Sequence, residues 1–251
     1  MAVIDNKTSI QEIEKSLVLI KDEIQDPLIW NPFMKDFSLR FCWSSNAIEG
    51  NTLNLEETIS VIEYDEVRSG HTYTEYQEAK NLYHAIQELL IPFEKKSLTE
   101  DWIKKANGLI RGTKGEYRKN SVYIGTIIES VYYPPAPEKI PELMNTYLKE
   151  MQIQKESLTE TLEQAARLHI QFEQIHPFQD GNGRVGRMIL NQQFINQNLL
   201  PITIEPKGKY RQAFRQYEKN GDISLMMHVL CKSELGAIEK IGQLIKKRNQ
   251  Q

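Results

Sequence analysis

The chain has 251 residues, 40% hydrophobic and 26% charged, with a formal net charge of −3 at pH 7. That balance fits an ordinary folded globule and excludes disordered and collagen-like chains. No apolar run approaches the roughly 18 residues a bilayer span needs, and the acidic start MAVIDNKTSIQEIEK lacks a secretory order. The two cysteines, Cys42 and Cys231, show no metal-binding spacing, so a reducing cytoplasm is the expected compartment. The negative net charge argues against a nucleic-acid partner. Lys246 to Arg248 read as the solvated cationic end of a C-terminal helix.

Helical periodicity governs the chain from its start. Ile10, Ile13, Leu17, Ile20 and Ile24 form an apolar stripe spaced by three and four, closed by Pro27. Phe33, Phe37 and Phe41 predict a second helix, with Ile48 on the same face. A third begins near Asn54, an N-cap candidate followed by early glutamates. TEYQEAKNLYHAIQELL is a further helix before Pro92. SLTEDWIKKANGLIRG offers a capping box, Ser97 with Glu100, and stops at Gly112.

The pattern then switches. SVYIGTIIESVYYPP is rich in β-branched and aromatic residues and predicts one short β-hairpin. Helices resume at EKIPELMNTYLKEM, and Leu162, Ala165, His169, Phe172 and His176 share the stripe of the next. Three more lie in GRMILNQQFINQ, KYRQAFRQYEK and DISLMMHVLCKSELGAIEKIGQLI. The expected fold is all-α with one short β-hairpin. A single domain is expected over residues 1–251, with N-terminal helices in 1–60 and the core in 97–230.

The chemistry concentrates in residues 175–187, IHPFQDGNGRVGR. His176 ends a helix before Pro177, and Phe178 is apolar in a polar loop, so it should anchor the turn in the core. Gly181 and Gly183 let a ligand approach the backbone, and Asn182 sits between them. The next helix starts there, and its N-terminus favours anions. Arg184 and Arg187 are three apart and share a face of that helix. These parts make a polyphosphate site. Asp180 fits such a site if Mg²⁺ bridges it to phosphate oxygens, and His176 is the candidate general base.

HPFQDGNGRVGR resembles the signature of Fic-domain proteins, HxFx[DE]GNGRxxR, at all eight fixed positions. Chance produces such a match on the order of once in 10¹⁰ windows. The hairpin also sits where that family carries its target-docking flap. The resemblance implies transfer of AMP from ATP, with Mg²⁺, to a Ser, Thr or Tyr hydroxyl of a protein target or of the chain itself. It implies His176 as base, Asp180 as metal ligand and the 181–183 turn as cradle for the α- and β-phosphates. Arg184 and Arg187 are implied as contacts to the β- and γ-phosphates, and Tyr210 and Tyr217 as residues around the adenine. In the flap, Val122, Tyr123, Ile124 and Gly125 would align an extended target by strand addition.

SSNAIEGN, residues 44–51, reads locally as a helix end capped by Gly50. That leaves Glu49 unexplained, because the helix dipole disfavours an acid there. Ser45, Glu49 and Gly50 resemble the inhibitory motif [ST]xxxE[GN] of the class whose inhibitory helix precedes the core. The resemblance implies that Glu49 pairs with Arg187, blocks the γ-phosphate contact and tilts ATP into a non-productive pose. Removal of AMP, other phosphoryl transfer and a non-catalytic nucleotide-sensing module are the competing functions. Gly183 disfavours the phosphate-transferring relatives, which carry lysine there. His169 reads as a packed histidine. The target and the oligomeric state, a homo-oligomer included, stay open.

Overall fold

In the computed structural model, residues 3–67, 69–91, 94–126, 130–206 and 208–250 are described. Pro92 and the hairpin tip at 127–129 lie outside them. Ten α-helices, two short 3₁₀ helices and one hairpin make up the regular structure of the described residues. The helices are α1 Lys7–Ile20, α2 Pro27–Ile48, α3 Leu55–Tyr64, α4 Tyr73–Leu89 and α5 Glu100–Arg111. After the strands β1 Ile124–Thr126 and β2 Ser130–Tyr132 come α6 Ile140–Met151, α7 Leu158–Ile175, α8 Asn182–Asn196, α9 Lys209–Asn220 and α10 Ser224–Arg248. The all-α expectation with a single hairpin is met. No helix among the described residues is long and apolar enough to cross a membrane.

Local chemistry sets most boundaries. Asn54, Thr72 and Ser157 each form a reciprocal capping box, with Glu57, Glu75 and Glu160. Two expectations are corrected. Ile24 falls in a 3₁₀ turn, Glu23–Gln25, rather than in α1, because Asp26 caps α2 and Pro27 is its first residue. The cap of α5 is Thr99, whose hydroxyl accepts from the Trp102 N–H at 3.2 Å, rather than Ser97. This register places Leu98 before the cap and Ile103 in the next turn, both buried in one apolar cluster. Burial of that pair selects Thr99.

α2 is the spine of the molecule, packing against α3, α4, α8 and α10. One apolar cluster gathers Phe33, Phe37, Leu82, Ile103, Phe172 and Met188 from α2, α4, α5, α7 and α8. A second joins Ile13, Ile170, Phe194, Ala213 and Leu230 from α1, α7, α8, α9 and α10. Leu17 and Ile238 pack against both. Arg248 is not merely solvated: it bridges Glu23 and Asp26 at 2.8 Å each, tying the end of α10 to the start of α2. The junction of α7 and α8, with the end of α2 beside it, carries the candidate site.

Candidate active site

His176 caps α7 in the left-handed region, φ 49° and ψ 60°, and its N–H donates to the Phe172 carbonyl at 3.0 Å. A side chain is rare in that region, so the surroundings must hold it. Arg118, buried, does so: its Nε donates to the His176 carbonyl at 2.8 Å and its N–H to the Pro177 carbonyl at 2.9 Å. The same guanidinium donates to the carbonyls of Asn120 and Pro135, one on each side of the hairpin. Phe178 is buried with its ring 5.5 Å from that of Tyr117. The Asn182 side chain closes the turn, donating to the Phe178 carbonyl and accepting from the Phe178 N–H, each at 2.8 Å. Its amide thus holds the loop from both ends.

His176 Nδ1 lies 3.3 Å from the Glu173 carbonyl. A carbonyl only accepts, so this contact places the proton on Nδ1 and leaves Nε2 with its lone pair. Burial lowers the pKa of His176 from 6.5, against the smaller upward pull of that carbonyl bond. The imidazole is a neutral base at pH 7. The Glu173 side chain is pushed the other way: burial raises its carboxyl to about 8.

α8 begins at Gly181, φ 84°, with no side-chain cap. The first N–H groups of a helix have no partner inside it, so this end presents donors and a positive dipole end to an anion. Arg184 and Arg187, each only 2% exposed, stand on its first two turns. Arg184 donates to Glu78 Oε1 at 2.9 Å. Asp180 pairs with Arg111 at 3.0 Å and with Arg184 at 3.5 Å, and its carbonyl accepts from Asn107 Nδ2. Among the described residues no three His, Cys, Asp or Glu side chains gather at one point. Asp180 offers one carboxylate, 57% exposed, a fit for a cation that takes its other ligands from phosphate and water.

The end of α2 reaches into this cradle. Glu49 Oε1 pairs with Arg187 Nη2 at 2.7 Å. Ser45 completes the grip, its hydroxyl accepting from Arg187 Nε and its carbonyl from Nη2, both at 2.8 Å. A Cβ on Gly183 would lie 2.1 Å from Glu49 Oε1, so the carboxylate rests directly on that glycine. Gly50, φ 100°, turns the chain away. From α9, Arg211 donates to the carbonyl of Ile48, the last residue of α2, at 2.6 Å.

The structure thus gathers His176, Asp180, Gly181, Asn182, Gly183, Arg184, Arg187, Ser45 and Glu49. Tyr210 is buried behind Arg187, with its hydroxyl 2.7 Å from His169 Nε2 and 3.5 Å from Arg187 Nη1. Tyr217 packs half-buried on the second apolar cluster. His169 is a packed histidine, held at a pKa of about 3 by burial. In the hairpin, β1 begins at Ile124, so Val122 and Tyr123 precede the strand, and Gly125 pairs with Val131. Arg118, Glu78, Arg111 and Asn107 escaped the sequence reading. They lie at 78–118, and no local spacing ties them to the 175–187 turn.

An all-α protein with a hairpin beside an arginine-rich helix N-terminus is the class that this fold and site define. Residues 97–194 match the Fic/DOC family. The chain is 27% identical over 231 residues to the protein adenylyltransferase Fic of Nematostella vectensis, covering 85% of this chain and 53% of that protein. The protein of the same name from Aedes aegypti is 27% identical over 197 residues, covering 75% of this chain and 38% of the relative. The chain therefore spans about half or less of the length of these curated relatives. Among solved structures, a Fic domain containing signaling protein from Bacteroides thetaiotaomicron superposes with a TM-score of 0.80 at 22% identity, covering 94% of this chain and 97% of that one. Fic-1 from C. elegans gives 0.82 at 21% identity, covering 97% and 73%.

Proposed function

We propose that the chain is a protein adenylyltransferase, moving AMP from ATP to a hydroxyl of a protein target and braked by its own Glu49. The observation that carries this reading is the convergence of a neutral imidazole, a bare helix N-terminus and two buried arginines on one turn, with Glu49 on the second arginine. The curated relatives' names supply the AMP chemistry.

In this reading the target hydroxyl gives its proton to His176 Nε2 as its oxygen attacks the α-phosphorus. The bond from that phosphorus to the bridging oxygen breaks, and pyrophosphate leaves. The N–H groups at the start of α8 and the Arg184 and Arg187 guanidiniums hold the charge that grows on the leaving group. Asp180 would hold Mg²⁺, which neutralises phosphate charge. The hairpin edge aligns the target's main chain, and residues 1–251 act as one unit, 1–60 carrying the brake and 97–230 the chemistry.

Incubation with ATP labelled at the α- or the γ-phosphate tests the reaction, using the Glu49→Gly chain beside the unaltered one. Label on protein from the α position alone is expected. Label from γ, or none from either nucleotide in both chains, overturns the assignment.

A further inference from the structure

Arg111 stands outside the signature, in the last turn of α5, yet its guanidinium ends in the candidate site. Nη2 lies 3.0 Å from Asp180 Oδ2 and Nη1 lies 3.5 Å from Glu78 Oε1. Arg184 touches the same two acids, Glu78 Oε1 at 2.9 Å and Asp180 Oδ1 at 3.5 Å. Two cations and two anions therefore alternate around a closed ring drawn from α4, α5, the turn and α8. The ring is tied further to the brake, because Asn51 Nδ2 donates to Glu78 Oε2 at 3.1 Å.

The two arginines of the ring are not equivalent. Arg184 is 2% exposed and also reaches Asn46 Oδ1, so it is fixed. Arg111 is 30% exposed, and its stem runs over the turn: a Cβ on Gly181 would lie 3.2 Å from its Cγ and Cδ. Its charged end is thus delivered to the mouth of the anion cradle on a partly exposed side chain.

We propose that Arg111 is a further phosphate-binding residue, one that pairs with Asp180 before nucleotide arrives and turns to a nucleoside polyphosphate beyond its α-phosphate afterwards. The inference rests on the nucleotide reading of the site given above. The ring is formally neutral, so a polyphosphate entering beside Asp180 brings negative charge that the ring does not balance. With Asp180 committed to a divalent cation, Arg111 would lose its shorter partner and keep only Glu78, at 3.5 Å. A guanidinium with a planar fork of donors then stands beside phosphate oxygens, the pairing it matches best.

Binding rather than transfer tests this. ATP, ADP and AMP are titrated by calorimetry into the full chain carrying Glu49→Gly, with and without Arg111→Met, which keeps the stem over Gly181 and removes the charge. A lost charge-assisted contact weakens ATP and ADP by about tenfold or more. AMP should change less than twofold. Arg111→Lys restores the charge without the fork and should fall between the two for ATP, which keeps the idea testable if the Met chain folds poorly. Equal ATP affinity with and without the Arg111 change overturns the assignment while leaving the nucleotide reading intact. Equal losses for all three nucleotides give Arg111 a merely structural role and also overturn it. If the Glu49→Gly chain binds none of the three, the nucleotide reading itself falls.

Discussion

In the proposed reaction, His176 is the residue on which the chemistry turns. Its backbone carbonyl is held by Arg118, its Nδ1 by the Glu173 carbonyl, and its Nε2 is left for a proton. Replacing it with alanine should cut transfer by about 10² to 10⁴, the usual worth of a positioned base, with ATP binding retained. Because burial lowers its pKa from 6.5, the neutral form persists into more acidic solution than a free imidazole allows. The acid limb of kcat/KM against pH should therefore turn below 6.5, and a turning point above it would contradict the buried-base assignment. This residue was legible because its partners Asp180, Arg184 and Arg187 follow within one short stretch of sequence. Arg118 was not, since it binds backbone carbonyls, and a carbonyl leaves no mark in the residue types around it.

At the scale of elements, α2 is the spine and, in the proposed reading, also the brake. The Ser45 and Glu49 positions were readable as a motif, since four residues apart on a helix means one face. What the sequence could not supply was how the end of α2 is held: Arg211 on the Ile48 carbonyl, and Asn51 on the Glu75 carbonyl and the Glu78 carboxylate. Releasing the grip with Glu49→Gly should raise ATP affinity and AMP transfer together, by roughly 5- to 150-fold, the usual span of a coupling between sites. Arg187→Ala should abolish that gain, so the two changes form a cycle with a predicted sign. Additive effects of the two changes would mean that the ion pair is not the brake. The boundary of α5 teaches the complementary lesson. SLTE contains two cap candidates, and burial of Leu98 and Ile103 chose between them.

Over the whole molecule, the helical periods and the hairpin gave the architecture and the packed place of His169, but the shifted titration of three ionisable groups was invisible to them. His169, Glu173 and Glu234 lie on faces that periodicity assigns simply to the interior. Burial holds His169 at about 3, below the 6.5 of a free imidazole, so the unfolded chain takes a proton first as pH falls. That group's stability is lost in acid. Burial raises Glu173 and Glu234 from 4.5 to about 8, and here the unfolded chain ionises first as pH rises. Their stability is complete below 4.5 and is lost on the way up to about 8. Glu234 is far from the turn and its Oε1 accepts from the Leu200 N–H, a role that an amide oxygen keeps. Glu234→Gln should therefore raise the melting temperature at pH 8 and leave it nearly unchanged at pH 4. Each kcal/mol recovered is worth about 2–4 °C in a chain of this size. An equal shift at both pH values would show that this carboxyl does not titrate on unfolding.

The contact of Glu49 with Gly183 has a kinetic meaning. The carboxylate lies so close over that glycine that even a methyl group would collide with it. In the proposed reading, a phosphate binding there productively must displace the side chain, so the brake acts as a tethered competitor. Such a competitor works through its effective concentration, fixed by the chain and independent of how much protein is present. Rising ATP should overcome it progressively, so that the unaltered chain differs from Glu49→Gly more in apparent KM than in kcat, and cellular nucleotide level becomes part of the regulation.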